Sequence, residues 1–95
     1  MKKKGIGTEC VQGKGYLDQC TGSFIVPIYQ SAVFLYPEGS TLKPRGRPLR
    51  YSREDNPTLL EVESKICSLE RGGDALVFSS GMAAISTLFL WRLFA

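Results

Sequence analysis

Leu59, Val62, Ile66 and Leu69 recur at three- and four-residue steps, with Glu61, Glu63, Ser64, Lys65 and Glu70 mostly on the other faces. That repeat predicts an amphipathic helix. Two starts are open: Asn56 as cap with Pro57 at the first helical position, or a capping box between Thr58 and Glu61. Gly72-Gly73 stops the pattern, so the helix runs to about Arg71. Past Asp74, Ala75-Leu76-Val77-Phe78 is apolar without alternation, the pattern of a strand covered on both faces. Ser79-Ser80-Gly81-Met82-Ala83-Ala84 then reads as a small-residue turn opening a second helix. From Met82 onward, Ile85, Leu88, Phe89, Trp91, Leu93 and Phe94 occupy nearly every side of that helix. Helix, Gly-Gly turn, buried strand, Ser-Ser-Gly turn and helix together describe an α/β layer protein.

The first half of the chain is less regular. Residues 1–23 hold five glycines and little periodicity, and read as a mobile arm. In Phe24-Ile25-Val26-Pro27-Ile28-Tyr29, Pro27 cannot donate to a central ladder, which confines the stretch to an edge or to an extended segment lying on another element. Leu35 to Pro48 collects three prolines and two glycines. A loop of that composition buries little of itself and must be held by something else.

Composition narrows the chemistry. With 95 residues the core is thin, and the net charge of +3 is too mild to announce a nucleic-acid binder. Histidine is absent, which removes most of the weight from Ser-His-Asp and Cys-His nucleophiles and from most zinc sites. Cys10, Cys20 and Cys67 form no C-x-x-C pair and fit a reduced, cytoplasmic setting. Lys2 to Lys4 resembles the start of a secretory signal, but Gly5 to Lys14 is polar where an apolar core should follow, so no export signal is expected.

Two stretches invite an anion. A turn that opens a helix presents unpaired N–H groups and the positive end of the helix dipole, and Gly81 allows close backbone approach. Ser79 and Ser80 can cap the helix or donate to phosphate oxygens. Separately, Lys43 to Arg53 carries five cations around Tyr51. Guanidinium groups fork phosphate and tyrosine adds a neutral donor, while a nucleic-acid backbone with Tyr51 stacked on a base is the competing reading.

Taken in order, Tyr51-Ser52-Arg53, Asn56-Pro57-Thr58, Val62-Glu63, Ile66, Leu69-Glu70 and Ala75 through Ile85 resemble the cystathionine gamma-synthase family of pyridoxal-phosphate enzymes. This is the Cys/Met metabolism family, which includes the cystathionine lyases and methionine gamma-lyase. Pro27-Ile28-Tyr29-Gln30-Ser31 through Phe34 resembles its amino-terminal segment, so the likeness runs from roughly residue 22 to 90. The resemblance implies an aspartate-aminotransferase-like (fold type I) α/β enzyme, with residues 1–57 as extended arm and loop and 58–95 as the start of its large domain. It implies that Gly81 and Met82 offer backbone amides to the cofactor phosphate, and that Tyr51 and Arg53 reach the neighbouring subunit's phosphate. A homodimer or homotetramer acting on a small sulfur amino acid follows, with neither nucleic acid nor membrane as partner.

Members of the family are about four times this length. The lysine that holds the cofactor covalently, the carboxylate facing the pyridine nitrogen and the aromatic over the ring are all expected beyond Ala95, and Lys14, Lys43 and Lys65 stand in the wrong contexts to replace the first. Trp91-Arg92-Leu93-Phe94-Ala95 also departs from the turn with Gly and Asp expected after Leu90. The chain therefore reads as a truncated or frame-disrupted amino-terminal piece, inactive and poorly soluble or partly ordered alone. As a second class, the apolar run from Ala75 to Ala95, with Arg92 its one charge, could be a membrane anchor.

Overall fold

A computed structural model of the chain describes residues 5–13, 15, 17–36 and 43–95. The Lys2–Lys4 run, Lys14 and the middle of the proline-rich loop lie outside the described residues. Three α-helices follow one another: α1 (Ile6–Gln12), α2 (Pro57–Glu70) and α3 (Gly81–Phe94), with a 3-10 turn at Pro44–Gly46.

The organising element is α2. Asn56 is extended and its side chain accepts the N–H of Thr58 at 2.9 Å, with Pro57 in the first turn. Of the two starts open in the sequence, the asparagine cap is the one formed. Thr58 has other work: its hydroxyl donates to the Pro27 carbonyl and accepts the Tyr29 N–H, each at 3.0 Å. The Asn56 amide completes the clasp by donating to the Tyr29 carbonyl at 3.0 Å and to Ser52 Oγ at 2.9 Å. Pro27–Tyr29 thus lies on another element, as its proline allows, with the Pro27 carbonyl and both Tyr29 backbone groups held by two side chains of the α2 start instead of a strand.

At its other end α2 closes one residue earlier than the glycines. Arg71 takes the left-handed conformation at φ 55° and ψ 37°, its N–H reaching Ser68 O, while the Gly72 N–H reaches Cys67 O at 2.9 Å. This is the paired carbonyl closure usually built on glycine. A Cβ in that conformation costs roughly 1 kcal/mol. Arg71→Gly is therefore expected to stabilise the chain by about 1 kcal/mol, read as a higher urea midpoint at unchanged slope.

Two expectations are corrected. The arm expected over residues 1–23 contains α1, which lies against α2: Lys65 Nζ donates to the Val11 carbonyl at 3.3 Å. Gly13, at φ 58°, ends α1 where an added Cβ would stand 3.1 Å from Lys65 Cε. The strand expected at Ala75–Phe78 is not formed. Those residues carry no regular secondary structure and have no neighbouring strand among the described residues, and Leu76 is 60% exposed. Continuous apolarity marks burial on two faces only when neighbours supply the faces, and a strand without a ladder is not a strand. Among the described residues the one β contact is an isolated antiparallel bridge between Val33 and Tyr51.

The core is as thin as the length implies. Leu49 is the one buried hydrophobic residue among those described. Every large apolar side chain of α3 is exposed, on all sides of the helix. The radius of gyration, 15.4 Å, exceeds the roughly 12 Å of a compact domain this long. No helix among the described residues is long and apolar enough to cross a membrane, so the anchor reading of the last stretch has no spanning helix behind it.

Candidate functional site

The basic loop is shaped by its backbone. Phe34 N–H donates to Arg50 O at 3.0 Å and Ser52 N–H to Ala32 O at 2.8 Å, which brackets Tyr51 against the 32–34 segment. The chain then turns: both Glu54 and Asp55 N–H groups point back to the Tyr51 carbonyl. Arg53 is carried on this turn, with its guanidinium carbon 5.0 Å from the centre of the Tyr51 ring, a cation–π stack.

The loop's other arginines are committed to carboxylates. Arg45 pairs with buried Asp55 and, at 3.0 Å, with Glu63; Arg47 lies 3.8 Å from Asp55; Arg50 grips Glu54 with two bonds of 2.7 and 2.6 Å. The hydrogen bond that Arg45 donates to Glu63 is the main reason the Arg45 pKa is raised, and the bond donated by Arg50 holds the Glu54 carboxyl below its ordinary value. Among the described residues Arg53 forms no ion pair. A loop that reads in sequence as five available cations is mostly neutralised internally. That weakens the case for a nucleic-acid backbone, which needs many free cations in a row.

The second half of the site is the start of α3. Ser80 is extended, and its hydroxyl accepts the Ala83 N–H at 3.1 Å while its carbonyl accepts the Ala84 N–H at 3.2 Å. The serine cap is therefore real, and it takes up the Ala83 donor. Gly81 and Met82 donate to no described residue, which leaves their N–H groups at the positive end of a 14-residue helix. Space above Gly81 is open, since a Cβ built there meets nothing within 4 Å.

No bond between described residues joins Tyr51 or Arg53 to Gly81 or Met82. The two halves are linked indirectly, since Arg53 and Val77 line one half-open cavity of about 290 Å³ and Val77 lies four residues before Gly81. Glu63 sits in its wall, bonded to both Arg45 and the Val77 N–H. Sequence reasoning saw Glu63 only as a polar position of α2. Its part is set by a contact 14 residues away, which periodicity cannot reveal.

A lone guanidinium backed by an aromatic ring and a pair of unpartnered amides at a helix start are both devices for a multiply charged oxyanion. Residues 7–94 match the family described as Cys/Met metabolism PLP-dependent enzyme, and the chain belongs to that family. Its enzymes depend on pyridoxal 5'-phosphate, and the devices just described fit the phosphate of that cofactor. The chain is 37% identical over 98 residues to L-methionine gamma-lyase of Fusobacterium nucleatum subsp. nucleatum, an alignment covering 96% of this chain and 24% of that protein. It is likewise 37% identical over 90 residues to a probable cystathionine gamma-synthase of Herpetosiphon aurantiacus, covering 90% and 26%, and to cystathionine gamma-lyase of Bacillus subtilis, covering 95% and 22%. The chain thus spans about a quarter of the length of the curated relatives it matches. No solved structure matches it.

Proposed function

We propose that this chain is the amino-terminal, phosphate-gripping part of a pyridoxal-phosphate enzyme acting on sulfur amino acids, and that residues 58–95 begin a fold type I large domain preceded by an arm and loop, 1–57, in which α1 docks on α2. The observation that carries this reading is the contrast within one loop: Arg45, Arg47 and Arg50 are spent on carboxylates, while Arg53 is held on Tyr51 without one. The Gly81 and Met82 amides hold the phosphate of their own subunit's cofactor. Tyr51 and Arg53 serve the neighbouring subunit in a dimer, or in a tetramer built from such dimers.

When bound, the cofactor supplies an electron sink for elimination or replacement at the beta or gamma carbon of the substrate. This chain's residues bind and orient. Two amides and a helix dipole neutralise part of a doubly negative phosphate, and a planar guanidinium fixes its rotation with parallel donors. The residue that holds the cofactor covalently is assigned to none of the described lysines: Lys65 is bonded to the Val11 carbonyl in the α1–α2 contact, and Lys43 borders the 3-10 turn. The 95-residue chain is accordingly expected to be inactive by itself, and the reaction type belongs to the rest of a family-length enzyme.

The test is a titration with pyridoxal 5'-phosphate and with inorganic phosphate, followed by the phosphorus resonance. Gly81→Pro is the informative variant. Proline suits the first helical position, the extended Ser80 before it is already in the conformation a proline demands, and the ring enters open space. The helix is kept and one N–H is lost. Phosphate affinity is expected to fall about tenfold with helix content unchanged, in keeping with one hydrogen bond to a charged group. Equal affinity in the two chains would remove the turn from the site.

A further inference from the structure

Among the described residues, the Glu63 carboxylate is hydrogen-bonded both to the arginine loop and to the segment that leads into α3. Its Oε1 accepts Arg45 Nη2 at 3.0 Å, and its Oε2 accepts the backbone N–H of Val77 at 3.0 Å. Arg45 is in turn bonded to buried Asp55, two residues beyond Arg53. A continuous chain of contacts therefore runs from the Arg53 turn through Asp55, Arg45 and Glu63 to the segment that delivers Gly81.

That segment has little else to fix it. Ala75–Phe78 lacks a strand ladder, and among the described residues the Val77–Glu63 bond is the one hydrogen bond that ties it to α2. The Glu63 side chain is well covered, at 12% exposure, while its partner Arg45 is 36% exposed. A carboxylate is suited to this because each oxygen takes one donor, a cation on one side and an amide on the other.

We propose that Glu63 is a positioning residue: by joining Arg45 to the Val77 N–H it sets the phosphate turn of one subunit in register with the Arg53 arm that the same subunit extends to its partner. This rests on the reading of the site given above, and goes beyond it by assigning a residue that touches no phosphate. In a pair of chains, the spacing between the half-site each keeps and the half-site each lends is then governed by one side chain.

The experiment uses the 95-residue chain and its Glu63→Gln variant. An amide side chain keeps the length, but with its one oxygen drawn to the Arg45 guanidinium it turns an NH2 donor toward the Val77 N–H, which loses its acceptor. Hydrogen exchange at the Val77 amide and affinity for inorganic phosphate are measured side by side, with far-UV dichroism to confirm that the α2 helix persists. Val77 exchange is expected to quicken at least tenfold and phosphate affinity to fall about tenfold at constant helix content. Unchanged Val77 exchange overturns the proposal, whatever happens to affinity, because the bond would not be holding the segment. Arg53→Gln is the separating control. Loss of affinity in Arg53→Gln with none in Glu63→Gln overturns the positioning role and leaves the site intact. Loss in Glu63→Gln together with faster Val77 exchange, but none in Arg53→Gln, also overturns the proposal, because no Arg53 arm would then remain for the turn to be held in register with.

Discussion

Asn56→Ala is expected to be the most damaging single substitution in this chain. The side chain is nearly buried and makes three bonds: it caps α2, holds the Tyr29 carbonyl and holds Ser52 Oγ. Loss of an asparagine cap costs about 1 kcal/mol, and each further partner left without a bond in a buried place adds roughly another. The sum, about 3 kcal/mol, is large for a chain with one buried hydrophobic residue among those described. Exchange at the Tyr29 and Thr58 amides should accelerate together, because the clasp on Pro27–Tyr29 opens as a unit. If only the α2 amides respond, the segment is held by something other than this clasp.

The second large effect is on binding. Arg53→Gln should weaken phosphate about thirtyfold, from roughly 2 kcal/mol of charge-assisted hydrogen bonding, and leave the helices in place, since among the described residues the cation forms no ion pair and gives up only its stack on Tyr51. Mixing makes the prediction sharper. If Arg53 serves the neighbouring subunit, a pair formed from one Arg53→Gln chain and one Gly81→Pro chain has one complete site, with the glycine turn of the first and the arginine of the second. Neither variant alone has any. On equal mixing half of the pairs are mixed and each has one complete site, so binding restored to about a quarter of the sites supports two-chain assembly of the cup, whereas binding that stays at the level of the separate variants argues that each chain keeps its own arginine.

Much of this was legible in the sequence because the signals were local. The three- and four-residue repeat from Leu59, the proline at position 57 and the serine before Gly81 each act within one or two helical turns, and α2 and α3 form where they indicate. The apolar run Ala75–Phe78 misled because a strand is a relation between segments, and composition records only one partner of it. The glycines at 72 and 73 suggested the C-terminal closure of α2, but the left-handed residue is Arg71, since the last carbonyls set the register and side-chain preference yields to it. The α1 helix has no apolar stripe of its own to announce it, and the Lys65 reach to its carbonyl is a contact across 54 positions. For the site, residue types gave the anion and the family gave the phosphate, yet which arginine is free could only be read once Asp55, Glu54 and Glu63 had been placed.

The way Pro27–Tyr29 is held bears on how this chain meets other copies of itself. Extended apolar segments usually invite a neighbour to add a strand, and Phe24, Ile25 and Ile28 are all exposed here. Yet Pro27 has no N–H to offer, its carbonyl is taken, and both polar groups of Tyr29 are already engaged by Thr58 and Asn56. A template with those groups taken is a poorer seed for a growing sheet. Clumping of the isolated polypeptide should therefore begin more readily at Leu76–Phe78, which is greasy and where, among the described residues, only the Val77 N–H is claimed.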